Sequence, residues 1–248
     1  MLPELLKVYQ RVDGLQLKPG WVRVAHVAHG WFMRCQRGVE AVLLLEAQGY
    51  QEEAAPIRRS ILEHAVSLNW LASSGEEAIG TLLRGAAHEA GKRKNSVLAA
   101  GWTSVDPALF DRVIDDGNGW SAEQDFLLHF KQRCDAFGSS HDWVAYLAET
   151  ARSHPGWESA ASYILPREDG TAVAALLTSP RERIPQAGYC ALALFQALLA
   201  VNEMLDGSPL ETTLDELGTR LKDIVVRQRV ARGLPIPEEL APEQLKDE

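Results

Sequence analysis

The chain has 248 residues, 46% of them hydrophobic and 24% charged, and a formal net charge of −9. That is enough apolar material for one sizeable core, at the upper end of what a single compact domain holds. The negative balance argues against a general nucleic-acid binder, which presents a basic face, but leaves room for a local basic pocket.

Alanine and leucine dominate and β-branched residues are sparse, which favours helices. Cys35, Cys134 and Cys190 are odd in number, far apart in sequence and without a Cys-x-x-Cys pair, so a reduced, cytoplasmic setting is expected. The start, MLPELLKVYQRVDG, has no basic region followed by an apolar run, so no signal peptide is expected. The most apolar stretch, Ala187 to Val201, is 15 residues long. A membrane span needs roughly 20, so it reads as a buried core helix and no membrane partner is expected.

In chain order, Leu2 to Val12 is a short helix, with Pro3 suited to its first turn. Gly14 to Gly20 connects it to a long helix from Trp21 to Gln48. There Val24, Ala28, Trp31, Cys35, Val39 and Val42 recur at three and four and mark a buried stripe. His26, His29, Gln36 and Glu40 fall near the opposite side, and Gly49 suits the C-terminus. Glu52 to Ala72, EEAAPIRRSILEHAVSLNWLA, is the stretch the rest is arranged around. Pro56 belongs in its first turn, because proline inside a helix costs about 3 kcal/mol. Ile57, Ile61, Ala65, Leu68 and Ala72 form one stripe, with His64 at its edge. Arg59, Glu63, Val66 and Trp70 lie on the other side, so this helix is expected to be covered all round. Ser73-Ser74-Gly75 turns the chain into a helix from Glu76 to Ala100, which carries Arg84, His88 and Lys92-Arg93-Lys94. Short loops make the three helices of residues 21–100 antiparallel neighbours and the core of the bundle, with His64 and His88 in one layer.

A short helix near Pro107 to Asp115 follows. Ser121-Ala122-Glu123-Gln124 has capping-box spacing and should open a helix to about Phe137. Asp142 to Arg152 is helical and ends at His154-Pro155-Gly156. Trp157 to Leu165 reads as another short helix, and Pro166 to Arg183 as an irregular connection with one helical piece. Ile184 to Asp206 is a long apolar helix. Ser208-Pro209-Leu210-Glu211 combines an N-cap, a first-turn proline and a capping-box glutamate. The helix it opens should reach Arg232, with Leu214, Leu217, Leu221, Ile224 and Val225 buried. The fold expected is all-α, one helical domain over residues 1–234 of about eight or nine helices, then an acidic, proline-containing tail over 235–248.

Candidate chemistry centres on Arg59 and His64. An imidazole can move protons and a cation can hold a phosphate, the pair that metal-independent RNA cleavage needs. On an ideal helix, five positions are about 140° of rotation, so the two side chains diverge unless a neighbouring helix or a second copy completes the site. The plain alternative is an Arg59–Glu63 pair at i,i+4 and a hydrogen-bonded core histidine at 64. For a metal, His26, His29 and Glu40 share a side, but the Glu-x-x-His pattern of di-metal bundles is absent from the sequence. Cys35 and Cys190 lie in apolar stripes and read as inert thiols. Lys92-Arg93-Lys94 is a solvated face, or a phosphate contact beside Arg84.

The run EEAAPIRRSILEHAVSLNWL after a long helix and a glycine resembles an uncharacterised bacterial family that is defined only as a domain of unknown function. Shared with it are Arg59 with Glu63 four residues on, and a serine- and histidine-bearing segment followed by proline, Ser153-His154-Pro155. The resemblance covers residues 25 to 205. It implies that His154 approaches Arg59 and Glu63 across the bundle, with Glu63 orienting His154 or His64 and Arg59 binding an anion. More distantly, the spacing of Arg59 and His64 looks like the HEPN superfamily, helical bundles that include RNA-cleaving toxins and abortive-infection proteins. That likeness implies action on RNA or a nucleotide, a homodimer, no cofactor, and catalytic residues among Arg59, Glu63, His64 and His154. A non-catalytic module that binds a protein partner, and a small-molecule binder in the bundle core, are the alternatives.

Overall fold

The computed structural model describes residues 1–9, 15–174, 187–231, 233 and 235–236. The expected end of the first helix beyond residue 9, the part of the Pro166–Arg183 connection from residue 175 on, the start of the long apolar helix before 187 and the acidic tail beyond 236 lie outside those residues. The fold is all-α. Its helices are α1 (Leu2–Val8), α2 (Val22–Ala47), α3 (Ala55–Ser74), α4 (Glu76–Ala99), α5 (Asp111–Gly117), α6 (Phe130–Phe137), α7 (Ser140–Ser153), α8 (Trp157–Ala161), α9 (Ala187–Met204) and α10 (Glu211–Ala231). One small antiparallel hairpin, β1 (Ile164–Pro166) with β2 (Ala172–Ala174), follows α8.

Helix α3 is the axle. Pro56 sits in its first turn, as the missing N–H requires. Gly75, at φ +56°, ends it and lets α4 begin at the next residue. Between those points α3 packs against α2, α9, α7 and α6. Ile61, Ala65, Leu68 and Leu71 are buried in the main core, together with Phe32, Val39, Leu194 and Leu198. Val66 faces a second cluster with Phe130 and Cys134. Trp70 is fully buried, and its Nε1 donates to Gln124 Oε1 at 3.0 Å. Gly38 lets α2 and α3 approach closely: a Cβ there would lie 2.8 Å from Ile61 Cγ1. Gln36, expected on the outer side of α2, is buried, and its Nε2 donates to the Leu6 carbonyl at 3.1 Å, pinning α1.

Three expectations are corrected. The third core helix is α9, not α4. Buried positions of α4 are confined to Ala78, Ile79, Gly80, Thr81 and Ala90, and its C-terminal half is mostly exposed. The charged run at Lys92-Arg93-Lys94 keeps that half in water, whereas α9 buries Cys190, Leu194, Ala197 and Leu198. His88 is exposed on α4, whereas His64 on α3 is half-buried.

Ser121–Gln124 does not open one continuous helix. The chain makes a 3-10 turn at Asp125–Leu128 before α6. Gln124 is drawn off by tertiary partners: besides accepting from Trp70, it donates to Glu77 Oε2 at 2.8 Å. Nor does Ser208 cap α10; it sits in a turn at φ +46°. The cap is supplied from α9, where buried Asn202 Oδ1 accepts from Leu210 N at 2.8 Å.

Candidate functional site

The seam between α3 and α7 holds two adjacent arginines in opposite situations. On α7, Asp142, Tyr146, Glu149 and Ser153 recur at four, three and four, the spacing of a helix face turned inward, but in polar residues. Ser139 and Asp142 close a capping box that fixes where α7 begins.

Arg58 is 1% exposed and Glu149 3%. Arg58 Nη2 donates to Glu149 Oε2 at 2.9 Å, and Nη1 donates to the Gln51 carbonyl at 2.7 Å. Glu46 Oε1 lies 3.7 Å from the same guanidinium, and Arg152 lies 3.7 Å from the other oxygen of Glu149. The charges compensate one another away from water. The cluster ties α2, the turn before α3, α3 and α7 into one register.

Arg59 is solvated by comparison, with 24% of its side chain exposed. Its Nη1 meets His154 Nε2 at 2.7 Å, and its Nη2 donates to Tyr146 Oη at 3.0 Å. Its Cζ lies 4.9 Å from the Tyr146 ring centroid, within cation–π reach. Glu63 is the carboxylate beside it, at a long 3.4 Å from Nη2. Arg59 Nε is shielded from solvent with no hydrogen-bond partner. An arginine can only donate, so His154 Nε2 accepts and the imidazole carries its proton on Nδ1. His154 is exposed at the C-cap of α7, with ψ 150°. Pro155 favours that extended backbone, and in it the ring lies against α3.

Of the four residues singled out from the sequence, Arg59, Glu63 and His154 therefore share one site. His64 is placed elsewhere. Its Nδ1 lies 2.6 Å from the Ser60 carbonyl one turn back, and its ring stands edge-on to Trp31 of α2 at 6.2 Å. It faces α2 while Arg59 faces α7, as the helical rotation requires.

Tyr146 joins the site without a sequence signal that points to it. It also stacks on Trp143, with centroids 5.4 Å apart at 18°, and tilts against Phe130 at 4.4 Å. Lys131 Nζ lies 5.8 Å from the Trp143 centroid. Arg133 sits over Trp70 and Phe130 and donates to the Leu127 carbonyl at 3.1 Å. Burial pushes its guanidinium below the usual arginine range, against the opposing pull of Glu63.

The remaining candidates are accounted for locally. Arg84 forks onto Asp125 with three bonds of 2.9–3.2 Å and adds the Trp120 carbonyl, so its cation is already held. Lys92 pairs with Glu89 and Lys94 with Asp111. All three cysteines are buried and free. Burial pushes Cys190 up to about 12 and Cys134 to about 11, and raises Cys35 as well. Their thiolates, the form that attacks, are therefore scarce near neutral pH. Among the described residues, no three His, Cys, Asp or Glu side chains converge as a metal-binding group. No helix among them is long and apolar enough to cross a membrane.

Fold and site together define an all-helical protein with an arginine–imidazole–phenol cluster at a solvent-reached seam, backed by a buried ion network. Residues 25–171 match the profile of a family of unknown function, DUF5677, and the chain belongs to that family. The matched range runs from α2 to the hairpin and contains Arg58, Arg59, Glu63, Tyr146, Glu149 and His154; α9 and α10 lie beyond it. No curated protein and no solved structure matches the chain.

Proposed function

We propose that this protein acts on RNA in the manner of the HEPN-like bundles, as a metal-independent ribonuclease whose site is Arg59, His154, Tyr146 and Glu63. One observation carries the reading: the contrast between two neighbouring cations. Arg58 is closed off by Glu149 and Glu46, whereas Arg59 reaches solvent and, beside a long 3.4 Å contact to Glu63, rests on an imidazole lone pair and a phenol. A guanidinium held that way is free to exchange its imidazole and phenol partners for a bidentate phosphate while Glu63 stays beside it.

In the proposed reaction a phosphodiester takes Arg59 and releases His154 Nε2. That nitrogen accepts the proton of a ribose 2′-hydroxyl, whose oxygen attacks the adjoining phosphorus. The 5′-oxygen leaves and takes a proton from water, so the products are a 2′,3′-cyclic phosphate end and a 5′-hydroxyl end. Arg59 stabilises the charge on the phosphoryl oxygens, and Glu63 holds Arg59 in place. A homodimer and a role as a toxin or defence effector belong to the same proposal. They are tested by light scattering, with a mass roughly double the 27.3 kDa chain, and by slowed growth on expression.

The direct test is RNA cleavage by purified protein in the presence of a chelator. His154→Ala and Arg59→Ala should each abolish it while circular dichroism stays unchanged. Full activity in His154→Ala refutes the assignment. The second reading, a non-catalytic module for a protein partner, has its own support. A groove of about 700 Å³ between α2 and α3 joins Met33, Ile57 and Pro56 to exposed Arg34 and Arg37. A protein that binds RNA nowhere but retains an acidic helical peptide there would favour it.

A further inference from the structure

The Arg59 cluster does not stop at Tyr146. That residue also lines an open pocket of about 400 Å³ together with His129, Phe130, Lys131, Gln132 and Trp143. Trp143 and Tyr146 lie nearly parallel, buried Phe130 tilts against both, and Lys131 stands over Trp143 while paired to Asp135. Half-buried aromatic rings in a pocket beside cations make the stacking platform that single-stranded nucleic acid uses. Tyr146 is common to both places. The guanidinium of Arg59 lies 4.9 Å from its ring centroid, and the indole of Trp143 stacks on it at 5.4 Å.

We propose that this pocket is a nucleobase subsite: an unpaired base stacks with Trp143 while the phosphate attached to it meets Arg59. The inference rests on the reading that Arg59 binds a phosphate, and it adds the substrate class. A base inside a duplex is already stacked on both faces and cannot enter. The substrate is therefore a single strand, and the choice of base is loose, because every base offers a π-face to an aromatic ring.

The experiment is fluorescence anisotropy with three labelled probes: an oligouridylate, an abasic ribose-phosphate chain of equal length, and the duplex of the same strand with its complement. Wild-type protein should bind the single strand at least tenfold tighter than the other two, the effect of one lost base–aromatic stack. Trp143→Ala should bring the single strand down to the abasic level and leave abasic binding unchanged, with Trp143→Phe restoring most of the difference. Arg59→Ala should weaken all three probes. Equal wild-type affinity for single strand and abasic chain overturns the base subsite while leaving Arg59 standing, and that comparison needs no variant. Abasic binding that survives Arg59→Ala removes the phosphate reading, and the base subsite with it. If wild-type protein binds none of the probes, both fall.

Discussion

Replacing Glu149 with leucine removes the carboxylate that, among the described residues, lies nearest buried Arg58, 2.9 Å from Nη2. What remains near that guanidinium is Glu46 at 3.7 Å and the Gln51 carbonyl at 2.7 Å. Breaking a buried pair from one side costs about 3–5 kcal/mol, because a charge is left uncompensated away from water. Since Glu46 still compensates part of it, about 3 kcal/mol is expected, the low end of that range. For a chain of this length, each kcal/mol lowers Tm by about 2–4 °C, so the fall should be roughly 6–12 °C. Urea denaturation of wild type, Glu149→Leu, Arg58→Met and the double variant forms a double-mutant cycle. The double variant should recover more than half of the single-variant loss, because an apolar pair of similar size replaces the ion pair at little net cost. A Glu149→Leu cost below about 1 kcal/mol, with no coupling in the cycle, would refute the claim that this network is dry and holds α7 in register.

Other outcomes follow from the same structure. Arg220 and the N-terminal amine hold the Glu4 carboxyl at about 2, so the folded value lies below the unfolded one; whatever this link between α1 and α10 contributes is present above the unfolded value of 4.5 and is lost as pH falls through about 2. A carboxyl NMR titration should find Glu4 near that value in wild type and higher in Arg220→Ala. The buried cysteines should resist Ellman's reagent at neutral pH and react only in denaturant; rapid reaction of a thiol in the folded protein would contradict their burial. Gly117→Ala should destabilise by about 1–3 kcal/mol in a urea melt, because the new Cβ would lie 2.7 Å from the Leu83 carbonyl oxygen, which belongs to the α4 backbone.

The sequence is most informative where local chemistry alone decides. Gly49 and Gly75 punctuate α2, α3 and α4, and apolar residues on both sides of α3 foretell a helix covered all round. Local signals mislead where a distant partner outbids them. Gln124 spans Trp70 and Glu77 in place of capping a helix, and Asn202 does for α10 what Ser208 was expected to do. Loop length ranks α4 above α9 in the core, because it says who is next in sequence but not who buries more apolar surface.

In the site, Arg59 with Glu63 is visible from i,i+4 spacing, and the approach of His154 to Arg59, 95 residues apart, is implied only by the family resemblance. Pairing Arg59 with His64 fails on rotation: the two leave α3 toward different neighbours. Tyr146 and Glu149 lack the apolar periodicity that marks an inward-facing stripe in sequence. On α7 that stripe is polar, and its partners are the tandem arginines of α3.

The central claim is that Arg59 leaves His154 for a phosphate. Nitrogen NMR of imidazole-labelled protein tests it most directly, by following the ring signals as single-stranded oligonucleotide is added. The expected result is a change at His154 Nε2 as the Arg59 bond is given up, absent in Arg59→Ala, with the His64 signals unmoved. A spectrum in which His154 stays fixed at saturating oligonucleotide while His64 shifts would contradict it.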